Sequence, residues 1–448
     1  MKKFEENHRR ELSRAIASWF VRKDGKYYRI DAPGAAISLP DVKQASVQRM
    51  RREFPHINLT GELLREVFGT AFSLYHQEPT EMVATWSGQV ISRPGDDQRL
   101  LLNDGFATIN LWRKPVYRDL KVNQHDWGPT GAFLEWIIPD DATRRQVIDW
   151  IAWNLQNEGD RPTWCLFLHS KAKGTGKSQL CRILEALFGE HNTTSQNGIS
   201  KLTGRFNVIT LMSKLVICEE VKLKQGSNAA NDLKTLISEP RLLVERKGQE
   251  AYQTQQNCCF VFTSNHPPLW LEADDRRFFI VDIDHEGHAS GPRTEAFQAL
   301  VKEVQQQIED PAALGALYNA LIQSELDALF NAKSLNTKTH CTPIMKMIQE
   351  ANRQVSTERL EELLNEIGQG YITQTALVHY FQKSMHANVE TIRHKMFELG
   401  WHKAQAKWGG VDYQRVIWVG PGYSIQRGNV IAPDGTGAPI RDDVEIGL

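Results

Sequence analysis

Residues 166–184 read LFLHSKAKGTGKSQLCRIL. An apolar, strand-like run leads into a turn carrying Gly174 and Gly176, then Lys177 and Ser178, then an amphipathic helical stretch. This order suits phosphate binding. Backbone N–H groups of the turn and of the helix N-terminus surround the oxygens, Lys177 neutralises the β and γ phosphates, and Ser178 ligates Mg2+. Gly174, Thr175, Gly176, Lys177, Ser178 and Gln179 are therefore the candidate nucleotide-binding residues, with ATP and Mg2+ as the expected ligands. The complete phosphate-loop pattern asks for one more glycine, at the position where this chain has Lys171, and that departure bears on the shape of the loop.

Downstream, KLVICEE (214–220) is an apolar strand ending in two carboxylates. Two glutamates after a strand are most often a solvated strand end. After a phosphate loop at this distance they fit in-line phosphoryl transfer, with Glu219 on the metal and Glu220 polarising the attacking water. A third strand, NCCFVFTSN (257–265), ends in Asn265, whose amide can hold that water or sense the γ-phosphate; the alternative is a turn-forming Asn before His266 and Pro267. In DDRRFFIVDI (274–283) two arginines precede a further strand. Adjacent side chains diverge, so one can pair with Asp274 or Asp275 while the other, Arg276 or Arg277, reaches a neighbouring subunit's nucleotide.

These strands alternate with helical stretches such as SQLCRILEALF and NDLKTLI, which predicts an α/β core with a parallel sheet covered on both faces. Between the second and third strands, LLVERKGQEAYQT (242–254) reads as a hairpin with Arg246, Lys247 and Gly248 at its tip. In a ring, such a tip would carry positive charge to a DNA backbone; by itself it is an ordinary solvated turn.

With 448 residues, of which 41% are hydrophobic and 24% charged, the chain is a soluble globular protein of about three domains. Its net charge of −1 gives no general attraction to a polyanion, so nucleic-acid contact must come from local basic loops. The charged N-terminus has no signal-peptide core and no run is long enough to span a membrane, so a cytoplasmic protein without a membrane partner is expected. Six cysteines, none in a C-x-x-C pair and mostly inside apolar runs, read as buried small hydrophobes.

Residues 1–134 read as an α+β accessory domain: a charged helix, a DGKYYRI hairpin, helices around 47–54 and 61–74, then short strands. No D-x-D metal site of a primase or polymerase appears there. DDATRRQVIDWIAWNLQN (140–157) has helical spacing with Asp140 or Asp141 as its cap, and leads into the ATPase domain, 135–335, whose helical lid follows Arg293. A polar linker precedes a third domain, 343–448. Its two helices (ITQTALVHYFQKS and NVETIRHKMFELG) and a hairpin look like a winged helix. Its second helix would read the major groove through Glu390, Thr391, Arg393, His394 and Lys395, and Lys403, Lys407 and Arg415 would meet phosphates. Trp401, Trp408 and Trp418 are expected to pack the hairpin. A winged helix used for protein contact alone is the competing reading.

In order, GTGKS, LVICEE, LKTLI with VERKG, VFTSN and DDRRFF resemble the motifs of superfamily three helicases, most of all the helicase part of phage, plasmid and poxvirus-type primase-helicases. The likeness covers roughly residues 135–345. It implies an AAA+ like, hexameric ring that hydrolyses ATP between subunits and moves 3′ to 5′ along single-stranded or forked DNA. It also implies Lys177 and Ser178 on nucleotide and Mg2+, Glu219 and Glu220 as the acidic pair, Asn265 as the polar sensor, Arg276 or Arg277 as the trans finger, Lys247 on DNA, and Lys234 at the subunit interface. FATINLWRKP and the helix after it look like the collar found upstream of such motors. The expected function is therefore an ATP-dependent DNA helicase in the replication of a phage, plasmid or other mobile element. A separate primase or replication protein is a companion that the resemblance leaves open. An origin-binding initiator that remodels DNA locally, and a nucleotide-switched defence ATPase that does not translocate, are the alternatives.

Overall fold

The computed structural model describes residues 2–75, 77–200, 202, 212–224, 227–244, 252–271, 275–283, 291–368, 370–384 and 389–441. The chain divides into two compact units. The first comprises residues 1–222, 232–267 and 276–342.

The first unit begins with the helix Lys2–Trp19 and the antiparallel pair Phe20–Lys23 and Lys26–Arg29, as the sequence predicts. The turn of this hairpin is Asp24-Gly25, both with positive φ (50° and 72°), a combination that suits the right-handed twist of paired strands. Asp104-Gly105 repeats the device between Leu100–Asn103 and Phe106–Asn110. Helices Leu39–Glu53 and Gly61–Ala71 are capped by Ser38 and Thr60, and with Leu12, Ile16, Trp19 and Tyr27 they bury Val42, Met50 and Val67 in a local core.

The sheet at the centre of this unit has five strands: β1 (Cys165–His169), β2 (Thr193–Asn197), β3 (Leu215–Glu219), β4 (Cys259–Ser264) and β5 (Phe278–Asp282). Their spatial order is β5-β1-β4-β3-β2 and every pairing is parallel. Strands covered on both faces need apolar residues on both, which is why β1, β3, β4 and β5 read as continuous rather than alternating runs, while the edge strand β2, TTSQN, is polar. All of β1 and β4 is buried. Phe167, Phe262 and Phe278 pack across three adjacent strands with centroids 6.5 and 6.0 Å apart; burying one such ring contributes about 2 kcal/mol. Five of the six cysteines are buried, and burial pushes the Cys181 and Cys258 thiols up to about 12, as small core residues rather than nucleophiles.

Helix Asp141–Gln156 is capped by Asp140, whose Oδ2 accepts from the Thr143 N–H at 2.8 Å. The lid region is less uniformly helical than its composition suggests. Helices Thr294–Glu309 and Pro311–Ile322 are separated where Asp310 caps the second, and regular helix ends at Ile322. The segment before the sheet is tied to the helix that follows the phosphate-loop sequence: Tyr117 Oη donates to the Leu187 carbonyl at 2.6 Å, and Arg118 bonds the same carbonyl while forming a two-pronged, buried pair with Glu158. Both contacts satisfy the carbonyl end of that helix.

The second unit comprises residues 223–231, 268–275 and 343–448. From residue 343 it runs helix Pro343–Ile367, strand Tyr371–Thr373, helices Gln374–Ser384 and Val389–Glu398, then the antiparallel pair His402–Ala406 and Arg415–Val419. The short first strand completes a three-stranded sheet by pairing with Arg415–Val419. Trp401, Trp408 and Trp418 are all buried, as expected; Trp418 Nε1 donates to Gln374 Oε1 at 2.8 Å. A further three-stranded meander, Ser424–Gln426, Asn429–Ile431 and Gly437–Pro439, follows, which the sequence pattern did not suggest. No helix among the described residues is long and apolar enough to cross a membrane.

Candidate active site

The carboxyl ends of parallel strands are where loops can converge on a ligand. β1, β3 and β4 are adjacent in the sheet through β4, so the turns leaving them meet. They form a cleft of about 380 Å³ lined by residues 173–179, Glu219, Glu220, Thr263, Ser264, Asn265, Phe297 and Val301. All six predicted nucleotide-binding residues, both carboxylates and Asn265 are therefore brought together.

The loop itself is closed by two left-handed glycines, Gly174 (φ 75°) and Gly176 (φ 106°). A Cβ on Gly176 would lie 2.9 Å from Ile137 and 3.2 Å from Phe133, so this position needs both the conformation and the absent side chain. Lys171 keeps an ordinary negative φ, since it is not among the described positive-φ residues. The glycine missing from the pattern is thus not required to close the turn. Thr175 Oγ1 donates to Ser170 Oγ at 2.9 Å, and Ser170 Oγ donates to the Ala172 carbonyl, bracing the loop from inside.

Helix Lys177–Phe188 starts at Gly176 with no side-chain cap. No Ser or Asp side chain competes for this helix start, and the helix dipole favours an anion there. Lys177 Nζ donates to Asn265 Oδ1 at 2.8 Å and to the Ser170 carbonyl at 3.3 Å.

Glu219 ends β3 and is half-buried. Glu220 is exposed and left-handed, with φ 52°, a conformation that costs a residue with a Cβ about 1 kcal/mol. The chain then turns toward β4, where the Val221 N–H donates to the Thr263 carbonyl at 2.9 Å. In a strand, successive side chains point to opposite faces; the left-handed residue breaks that alternation, and both carboxylates line the same cleft. Behind the loop, His169 Nδ1 lies 3.1 Å from Asp282 Oδ1, joining the ends of β1 and β5.

Other predicted residues lie elsewhere. Arg276 is exposed and Arg277 half-buried, and both precede β5. The register pairs Phe278 with Cys165 and Asp282 with His169, which puts the arginines at the amino end of the sheet, roughly 16 Å along the strands from the loop. Neither lines the cleft of its own chain. Strands Arg241–Val244 and Tyr252–Gln255 pair antiparallel, as the hairpin reading requires. The tip residues Arg246, Lys247 and Gly248, like Asp274, lie outside the described residues. Lys234 is only 9% exposed.

In the second unit, Lys403 is exposed, Lys407 pairs with Asp412 at 2.8 Å, and Arg415 stacks over Trp408 at 4.3 Å. On helix Val389–Glu398, Arg393 is half-buried and His394 pairs with Glu398. Lys395 corrects the sequence expectation. It is 7% exposed, beside the buried Met396, so it is not offered at the surface to a base edge in the major groove. The side chains of Glu390 and Thr391 lie outside the described ones.

Sequence reasoning missed Thr263, Ser264, Phe297 and Val301. The first two follow from the strand that delivers Asn265. Phe297 and Val301 are one helical turn apart on Thr294–Glu309, a spacing that was legible only as an amphipathic face.

Comparison with known proteins matches residues 168–277 to a family of unknown function, DUF5906. That segment spans the GTGKS loop, the two glutamates, Asn265 and both arginines. The chain is 29% identical over 190 residues to the DNA primase-polymerase of Nitratiruptor phage NrS-1, a match covering 41% of this chain and 26% of that protein. It thus spans about a quarter of the curated relative's length. Among solved structures, the apo C-terminal region of NrS-1 (residues 305–718) is similar at a TM-score of 0.54 and 16% identity, over 92% of this chain and 99% of that one. An A form of the same region is similar at a TM-score of 0.52 and 17% identity, over 90% and 96%. These likenesses concern the fold.

Proposed function

We propose that this chain is an ATP-driven DNA motor: a helicase that translocates on single-stranded DNA during replication of a phage or other mobile element, acting as a homo-oligomeric, hexameric ring. The observation that carries the reading is the Lys177–Asn265 contact in a cleft that also gathers Glu219 and Glu220. A lysine on an uncapped helix, two carboxylates and a neutral amide at adjacent strand ends form the set that phosphoryl transfer to water requires.

The residues present suit ATP and Mg2+. The two left-handed glycines and the bare helix start offer N–H groups to phosphate oxygens. Ser178 and Glu219 are the residues to hold Mg2+, which when bound supplies neutralisation of phosphate charge. Lys177 exchanges its bond to Asn265 for one to the terminal phosphate. The amide so released orients the attacking water, with Glu220 accepting its proton. Phe297 and Val301 give the cleft an apolar wall that excludes competing water. Arg276 or Arg277, at the far end of the sheet, completes the site of a neighbouring subunit, which makes hydrolysis depend on assembly.

Similarity to a phage DNA primase-polymerase supports a replication-associated role. The order helix, strand, helix, helix, hairpin in the second unit supports a winged-helix reading, with Arg393, Lys403 and Lys407 the remaining candidates for DNA. The decisive measurement is strand displacement by the full chain on forked DNA of both polarities, with Lys177→Ala as control. ATP-dependent displacement that this substitution abolishes is expected. Hydrolysis with no displacement on any fork would overturn translocation and favour an initiator or a nucleotide switch.

A further inference from the structure

A second cavity, of about 550 Å³, lies in the first unit away from the phosphate loop. Its walls come from five places: the loop Asp31–Ala35, the strand end at Val90, the strand exit at Leu111 and Arg113, His191 with the start of the edge strand β2 at Thr193 and Thr194, and Met212 with Ser213. This volume is in the range of small-molecule sites and suits a mononucleotide.

The charges around it are lopsided. Among the described residues Asp31 is the single carboxylate on the wall, and it is already engaged: Arg29 forms a two-pronged pair with it at 2.8 and 2.6 Å. Arg29, Arg113 and Arg49 together hold the Asp31 carboxyl below its usual range, although burial works against them. Arg113 is on the wall and donates from Nη2 to the Asp31 carbonyl at 3.3 Å. Arg99 lies directly behind, bonded to the Leu111, Trp112 and Ile30 carbonyls, with burial foremost and then Arg113 pulling it down to about 10. His191 adds a further ring nitrogen donor on the wall. Asp31 is neutralised by Arg29, and Arg49 is paired with Glu53 at 2.7 Å, so Arg113 on the wall and Arg99 behind it are the surplus positive charge that an anion would relieve.

The rest of the wall is of a different character. Pro33, Val90, Leu111 and Met212 give an apolar surface, and the hydroxyls of Thr194 and Ser213, 2.7 Å apart, can accept from a polar ring edge. A wall that combines cationic donors with an apolar surface is suited to a phosphorylated heterocycle.

From this arrangement we infer that the cavity bounded by Asp31, Arg113, His191 and Thr194 is a second ligand site, separate from the ATP cleft, for a small organophosphate of nucleoside monophosphate size. Its position gives it a route to the cleft. Thr193 and Thr194 begin β2, whose last residue Asn197 is in register with Glu219, and the neighbouring Gly198 N–H donates to the Glu219 carbonyl at 2.7 Å.

The test uses the full chain carrying Lys177→Ala, so that the ATP cleft is disabled, with calorimetric titration of dAMP and dTMP. Adenosine, thymidine and inorganic phosphate serve as the two halves of each probe. Binding of a monophosphate about tenfold or more tightly than either half, weakened about tenfold or more by Arg113→Gln and by His191→Ala, is expected. His191 is exposed, so if Arg113→Gln fails to fold, His191→Ala decides. Binding no tighter than that of inorganic phosphate, or binding unmoved by His191→Ala, overturns the site. Neither outcome depends on whether the chain unwinds DNA.

Discussion

Lys177 and Asn265, 88 positions apart in the chain, are joined by a 2.8 Å hydrogen bond from the ammonium to the amide oxygen. The bond links the first turn of the phosphate-loop helix to the end of the neighbouring strand. On the function proposed above, this is the bond that Lys177 would exchange for a phosphate oxygen.

Asn265→Ala removes that partner and the amide aimed into the cleft. ATP hydrolysis should fall by about 100-fold, the loss typical of one preorganised polar group, while nucleotide affinity changes little because Lys177 and the loop remain. Steady-state phosphate release with a fluorescent-nucleotide titration checks both numbers. A loss of affinity as large as the loss of turnover would make Asn265 a binding group instead.

Glu220 separates strain from chemistry. Glu220→Gly relieves the positive φ and should leave the fold as stable or about 1 kcal/mol more so, yet abolish hydrolysis. Glu220→Gln keeps the strain and should also abolish it. Thermal melting beside turnover distinguishes the two contributions; retained turnover in both variants would remove Glu220 from the mechanism.

Arg276 and Arg277 stand at the opposite end of the sheet from their own cleft. A double Arg276→Ala/Arg277→Ala chain and a Lys177→Ala chain should each be inactive alone. Mixed, they should recover part of the hydrolysis, because some interfaces then join an intact loop to an intact arginine. Absence of recovery across mixing ratios would point to a role within one subunit.

Asp140 offers a pH test of the helix that leads into the sheet. Hydrogen bonds from Thr143 hold its carboxyl below the usual value. A depressed folded-state pKa means that the stabilisation is present above the unfolded value and is lost as the pH falls through the folded one. Asp140→Ala should therefore cost about 1 kcal/mol at pH 7, and the gap between variant and parent should close in acid. Chemical denaturation at pH 7 and near pH 3 measures it.

Much of this chain was legible because its signals are local. The GTGKS segment, the Asp-Gly turn at 24, the Asp140 cap and the buried β runs each depend on neighbours a few positions away, and backbone sterics and hydrogen-bond satisfaction act at that range. Tertiary structure alone decided the rest. The order β5-β1-β4-β3-β2 sets Asn265 beside Lys177 and sends the arginines to the far end, because which strands become neighbours depends on how the connecting helices pack over the sheet. Burial decided Lys395, which is 7% exposed on the helix that the sequence reads as entering the major groove. The left-handed turn at Glu220 and the second cavity, whose walls come from segments 31–35, 90, 111–113, 191–194 and 212–213, likewise exist only once distant pieces of backbone are fixed against one another.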